Sequence, residues 1–206
     1  MTDTEESYVF YGWGGLFRPL CERGFLHYKV QEKKAFALSP EYVPMDKEAA
    51  KRELMIRYLS HIAPATIRDI SYFFGYNQRD VKKIFECLPT KSLAVDGSEH
   101  FYMEELLPDY PDIPDCVLLA GFDQLMLGYQ KADSVFLPPE YLRGIFNLAG
   151  IVLPAVLLNG TVAGKWRRKG KKLEVTCFRG FTKKEMKYVE KCVAELWSDK
   201  LNVIYM

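Results

Sequence analysis

Apolar residues recur at helical spacing through the middle of the chain. Val81, Ile84, Phe85 and Leu88 fall at i, i+3, i+4 and i+7, one stripe on one short helix. Asn77 stands before it with Asp80 three residues on, an acidic form of the capping box that ties down first-turn amides. The preceding stretch repeats the grammar, with Thr66 as N-cap, Asp69 three residues later, and Ile67, Ile70, Phe73 and Phe74 as the buried face. Only Gly75 and Tyr76 separate the two helices, and glycine takes a positive φ at no steric cost, which suits a C-cap turning sharply. This spacing predicts a helix-turn-helix. A longer helix precedes it from Lys47 to Ile62, its inner rows being Ala50, Leu54, Tyr58, Ile62 and Met55, Leu59, with Pro64 ending it. Leu93-Ala94-Val95, Asp96-Gly97 and Phe101-Tyr102-Met103 then predict a hairpin whose turn either closes at Asp-Gly or runs on to Ser98 and Glu99. Three helices followed by a β-hairpin predict a winged helix.

The flanks carry other patterns. Tyr8 to Pro40 read as the back half of a second winged helix, with strands at His27 to Val30 and Ala35 to Leu38 around a polar turn, Gln31 to Lys34. Nothing upstream of Tyr8 is expected to supply that domain's helices. Gly12, Gly14 and Gly15 lack P-loop spacing and read as a backbone bend. Pro40 to Asp46 and Pro108 to Asp115 read as linkers. Beyond the second, Val117 to Ala120 predict a buried strand, and Pro138-Pro139 open a short helix through Ile145. A meander follows through Asn159-Gly160 and Lys169-Gly170, then an amphipathic helix from Thr182 to about Asp199 with Met186, Val189, Val193 and Leu196 inside, and a last strand at Asn202 to Tyr205. The expected class is α+β, built of tandem winged-helix units, three-helix bundles with β-hairpin wings. The expected segments are 1–46, a partial winged helix and linker; 47–107, a winged helix; and 108–206, a winged-helix-like β-meander domain with a C-terminal helix. The last is expected to hold a three-stranded sheet with helices on one side.

Composition narrows the function classes. At 206 residues and 49% hydrophobic content, a packed core is within reach. Five scattered cysteines without C-x-x-C read as reduced core thiols of a cytosolic protein, and three histidines share no metal-ligand spacing, so no metal and no cofactor are expected. The start of the chain is polar and acidic, unlike a signal peptide, and the longest apolar run, Ala149 to Leu158, is too short to span a bilayer. A soluble cytoplasmic protein is expected, nucleoid-associated if bacterial, with no membrane partner. Net charge is +1, yet Ser92 to Gln130 hold eight acids and no Lys or Arg, while Lys131 to the end hold 14 basic against 7 acidic residues. That asymmetry suits a protein turning one face to a polyanion, unless the charges mix in space.

Three blocks carry a family resemblance. Arg57-Tyr58-Leu59, Pro64-Ala65-Thr66 and Asp69 resemble the "RYL…PAT…D" core of the bacterial winged-helix DNA-binding family of the AlkZ and YcaQ type, the interstrand-crosslink DNA glycosylases. Gly121-Phe122-Asp123-Gln124 with Gly128-Tyr129 resembles its "FDE…LGY" block, and Asn159-Gly160 with Gly164-Lys165-Trp166-Arg167-Arg168 resembles its "DG…GTWRR" hairpin. Lys131-Ala132-Asp133 stands where the family often has "DR", and Lys165 replaces Thr. The resemblance implies tandem winged helices around a basic DNA channel, with double-stranded DNA, alkylated or crosslinked, as partner. In characterised members it implies excision of alkylated purines and unhooking of crosslinks by a Gln-x-Gln or Gln-x-Asp pair in an N-terminal winged helix. That domain has no counterpart expected here, and no catalytic role carries over to Gln31, Gln78, Gln124 or Gln130.

Two cationic stretches are the candidate contacts. Lys165, Arg167, Arg168, Lys169, Lys171 and Lys172 crowd a tight turn with Trp166, where phosphates would be met and an indole could stack on a base. A charged hairpin tip also protects a sheet edge from pairing. Strand alternation puts Lys165, Arg167 and Lys169 on one face and Trp166 with Arg168 on the other, leaving Trp166 open as core or contact. On the second helix of the helix-turn-helix, Gln78, Arg79, Lys82 and Lys83 lie off the apolar stripe, with Gln78 and Arg79 placed to read bases. The acidic wing behind that helix argues against conventional docking. Asp123, after a buried strand, reads first as a cap or ion-pair partner. The expected function is a DNA-binding relative of these glycosylases, inactive alone. The alternatives are an active glycosylase, with acid–base work done by Asp123 or by a partner chain supplying the catalytic domain, and a regulatory protein-interaction module.

Overall fold

The computed structural model describes residues 2–11, 15–31, 33, 35–103 and 112–206. The bend at Gly12 and Gly14, half of the 31–34 turn and the start of the second linker lie outside them. The chain divides into two compact units, Met1–Asp46 and Lys47–Met206.

The first unit holds α1 (Asp3–Val9), α2 (Phe17–Glu22) and an antiparallel pair, β1 (Leu26–Tyr28) with β2 (Phe36–Leu38). A helix therefore does form upstream of Tyr8. Its signal was local: Thr2 accepts from the Glu5 amide while Glu5 accepts from the Thr2 amide, a full capping box. Phe10, Phe17, Phe36 and Tyr28 stack in a chain of ring contacts.

The second unit begins with α3 (Lys47–His61), α4 (Ile67–Phe74) and α5 (Gln78–Phe85), then β3 (Lys91–Val95) and β4 (Ser98–Tyr102). Between α3 and α4, Ala65 bridges to Phe101 of the hairpin, giving the element order of a winged helix. Both helix starts form as the sequence predicts: Thr66 with Asp69 makes a reciprocal box, and Asn77 accepts from the Asp80 amide. Gly75 sits at φ +66, the left-handed C-cap. The hairpin closes at Asp96 and Gly97 alone, both at positive φ, so the turn is the two-residue kind. Met55, Tyr58, Leu59, Ala65, Ile70 and Val81 form the core. Two expected core residues are exposed instead, Leu54 on α3 and Phe73 on α4, although the Phe73 ring still meets buried Tyr58 at 4.9 Å between centroids.

The sheet departs further from expectation. It has five strands, not three, in the order β5 (Cys116–Leu119), β6 (Ala155–Leu158), β7 (Thr161–Lys169), β8 (Lys172–Cys177), β9 (Asn202–Tyr205). The first four run antiparallel, and β9 lies parallel to β8 after crossing over through α8 (Lys183–Leu196). Both faces are covered rather than one. Val156, Leu158, Leu173 and Val175 meet Val189 and Val193 of α8. Leu119, Ala155, Leu157 and Val162 meet the one-turn helices α6 (Gln124–Leu127) and α7 (Leu142–Ile145). That is why all four residues of β6 are buried. A bulge between Val156 and Leu157 shifts the β6–β7 register, pairing Val156 with Gly164 and Leu157 with Val162. At Gly164 a Cβ would lie 2.6 Å from the Thr176 carbonyl oxygen, so the close approach of two strands excludes a side chain. Leu196, expected inside, is exposed at the helix end.

The start of α8 gives an acid-dependent element. Glu185 accepts from the Thr182 amide and hydroxyl, and from Arg179 at 2.6 Å. The Arg179 guanidinium first, and the Thr182 amide second, hold its carboxyl down at about 2. A carboxyl lowered on folding stabilises above its ordinary pKa of 4.5, and that contribution drains away as pH falls from 4.5 toward 2. Glu185→Gln is therefore expected to flatten the acid limb of a melting-temperature profile between pH 5 and pH 2. Parallel acid limbs in variant and parent would remove this account.

Candidate nucleic-acid interface

Strand alternation and register decide which hairpin cations stand together. Lys165 pairs with Thr176, Arg167 with Glu174 and Lys169 with Lys172. Residues directly opposite share a face, so this side of the β7–β8 ladder carries four cations, one hydroxyl and one acid. The acid is engaged: both Arg167 Nε and Nη2 donate to Glu174 Oε2, at 3.1 and 2.6 Å, and Lys169 Nζ lies 3.4 Å from Oε1. Arg167 holds the Glu174 carboxyl below the usual carboxylate range. Counting Lys165, Arg167, Lys169 and Lys172 against Glu174, the face keeps a surplus of three positive charges. Lys165 and Lys172 make no ion pair among the described residues, and Lys171 at the turn is exposed.

The opposite face is packing. The Trp166 indole N–H donates to the Leu119 carbonyl at 2.9 Å, and its ring meets Trp197 edge-on with centroids 5.6 Å apart. Arg168 lies over the same Trp197 and reaches Asp199 at 3.4 Å. The eight-residue basic run is thus split by the pleat. Lys165, Arg167, Lys169 and Lys172 face one way, while Arg168 and Trp166 are bound into the α8 side.

A hollow of about 500 Å³ opens beside the cationic face. Leu153, Pro154, Lys165, Arg167, Glu174 and Thr176 are among the residues that line it, and Trp166, Arg168 and Met206 border it too. It exists because β6 stops at Ala155, opposite Lys165, while β7 runs on to Lys169. A second cavity of about 510 Å³ lies between α4 and the wing tip, with Arg68, Asp69, Asp96 and Asp133 in its walls. Arg68 is paired to Asp133 at 3.0 Å, so that cavity is acidic on balance and unsuited to a polyanion.

On α5, Gln78, Arg79, Lys82 and Lys83 are all exposed, opposite the buried Val81, Ile84 and Phe85. Gln78-Arg79-Asp80 also spells Gln-x-Asp. Its geometry is that of a helix start: the Asp80 carboxylate accepts from the Asn77 side-chain amide at 2.6 Å and its amide donates back to Asn77. Asp123 likewise caps α6, accepting from the Leu125 amide at 2.9 Å. Among the described residues no group of three or more potential metal ligands assembles, and no helix is long and apolar enough to cross a membrane.

The comparisons with known proteins agree with one another. A family model described as DNA glycosylase AlkZ-like matches residues 11–198. A curated relative from Streptomyces sahachiroi, an interstrand DNA cross-link repair glycosylase, is 29% identical over 202 residues, covering 90% of this chain and 54% of that protein. The solved structure of the Streptomyces sahachiroi DNA glycosylase AlkZ superposes with a TM-score of 0.81 at 28% identity, over 98% of this chain and 60% of that one. The chain spans about half the length of the curated relative.

Proposed function

The chain belongs to the DNA glycosylase AlkZ-like family, and we propose that it binds duplex DNA carrying alkylated or crosslinked bases without excising a base on its own. The observation that carries this reading is the β7–β8 face, where, among the described residues, three positive charges in excess of acid stand on one ladder. Phosphate contacts of that kind supply most sequence-independent affinity. The exposed cations of α5 form a second patch in the same unit.

The absence of base excision is supported by how four carboxylates of the 47–206 unit are engaged. Asp123 caps a helix, Asp69 accepts from Thr66 and Gln130, and Glu174 and Glu185 are paired to arginines. Asp69, Glu174 and Glu185 have both oxygens engaged and Asp123 has one, whereas a general acid or base must keep an oxygen within reach of substrate. We assign proton transfer in crosslink repair to groups outside these 206 residues, such as a catalytic domain supplied by a partner chain.

Titration with duplex DNA at increasing salt tests the binding. With four to six phosphate contacts, log affinity falls against log salt with a slope of roughly −4 to −5. A slope near zero, or no binding at low salt, would overturn it. Incubation of saturating protein with duplex containing N7-alkylguanine is expected to release no free base, and release would restore the enzyme.

A further inference from the structure

Phe122 is out of place in two respects. Its φ is +58, in the left-handed region that a bulky side chain rarely occupies, and it is 54% exposed. Strain of this kind persists only where the surroundings impose it, and it gathers at binding sites. Here the Phe122 amide donates to the Val152 carbonyl at 3.2 Å, and a Cβ on neighbouring Gly121 would lie 3.8 Å from Pro154. The turn that holds Phe122 is thus clamped onto the 152–154 segment, whose Leu153 and Pro154 wall the cationic hollow. The α6 cap at Asp123 explains why the chain turns here, but not why an exposed aromatic occupies the left-handed position.

We propose that this hollow and Phe122 seat one nucleotide of a bound strand, with phosphate at Lys165, Arg167 and the Thr176 hydroxyl, and the base against Phe122 and Pro154. This rests on the nucleic-acid reading above and adds a place and a stacking residue to it. The chemistry follows from the walls. Lys165 brings an ammonium that makes no ion pair among the described residues, and Arg167 has donors beyond the two given to Glu174. At the other side Leu153 and Pro154 make the wall apolar, and Phe122, on the turn hydrogen-bonded to the segment that carries them, is assigned as a sequence-tolerant platform for a base. The hollow is within the range of volumes that hold small ligands.

Thymidine 5′-monophosphate is the probe, titrated into the full chain and followed by NMR shifts. It is expected to bind, thymidine and inorganic phosphate each at least tenfold more weakly, and decathymidylate is expected to displace it. Phe122→Gly should weaken the monophosphate about tenfold, in keeping with the loss of one stacked base. Because glycine adopts φ +58 freely, the same variant should melt at an equal or higher temperature. Lys165→Gln should give a similar loss of affinity. Equal binding of phosphate and nucleotide, unchanged affinity in Phe122→Gly, or a bound monophosphate that decathymidylate fails to displace would each overturn the proposal. The duplex titration is read separately. Duplex binding without nucleotide binding removes this seat alone, whereas nucleotide and decathymidylate binding without duplex binding keeps the seat and removes the duplex reading.

Discussion

Asp69→Ala is expected to lower the stability of the 47–206 unit by about 3 kcal/mol, the largest loss expected from any single polar side chain described here. Asp69 is 7% exposed, and both carboxylate oxygens are occupied. Oδ2 accepts from the Thr66 amide at 2.9 Å and the Thr66 hydroxyl at 2.6 Å, while Oδ1 accepts from the Gln130 amide at 2.8 Å. One side chain therefore closes the first turn of α4 and ties the helix-turn-helix to the chain entering the sheet. Removing a cap costs about 1 kcal/mol. Leaving the half-buried Gln130 N–H without a partner costs about 1–3 kcal/mol more. Thr66→Ala removes the acceptor for the Asp69 amide and the hydroxyl donor to Asp69 Oδ2 but leaves the Gln130 bond, and should cost about 1 kcal/mol. Asp69→Asn keeps one good acceptor and should fall between them. Urea unfolding of the three variants checks the order, and three equal losses would deny Asp69 its second role.

The same contact region contains Tyr58, whose hydroxyl donates to the Gly128 carbonyl at 2.6 Å. Burial pushes the phenols of Tyr58 and Tyr129 upward, and the nearby Asp69 carboxylate adds to both shifts. Both stay neutral through the physiological range. The segments that resemble the family as "RYL…PAT…D" and "LGY" thus meet in space: Tyr58 bonds Gly128, and Asp69 bonds the residue after Tyr129. A resemblance scattered along the sequence is here one polar junction.

What was legible in the sequence was local. Thr66 with Asp69, Asn77 with Asp80, and Thr182 ahead of Glu185 place caps within three residues of their partners, and all form. Asp96-Gly97 and Asn159-Gly160 mark turns that close as expected. The pairing of β5 with β6 joins residues more than thirty positions apart, and no period of two reports which distant strand a buried run will choose. The fifth strand depended on a parallel crossover. Alternation did place Lys165, Arg167 and Lys169 together, since nothing interrupts the pleat after the bulge. Glu174, which neutralises part of that face, and Trp197, which receives both Trp166 and Arg168, come from register and tertiary packing. Phe122 had no sequence signal beyond its block, because a positive φ on a non-glycine residue is set by what clamps it.

Arg167, Lys169 and Lys172 replaced together by glutamine should lower duplex affinity about a hundredfold at low salt and make the salt slope less steep by roughly three. All three stand exposed on the cationic face, so their loss subtracts phosphate contacts without opening the core. Arg168→Gln is the internal control. Arg168 points to the other side, held by Asp199, the Gly170 carbonyl and Trp197, so its loss should leave the slope unchanged. The competing patch is α5, where Arg79, Lys82 and Lys83 are equally exposed but share the helix and its C-cap with the exposed acids Asp80 and Glu86. If DNA lay along α5, those acids would sit near its phosphates and offset part of the gain. Replacing the three α5 cations by glutamine should accordingly change affinity by less than tenfold. The reverse order, a large loss from α5 and none from β7–β8, would move the interface to the helix-turn-helix and take the hairpin out of the binding surface.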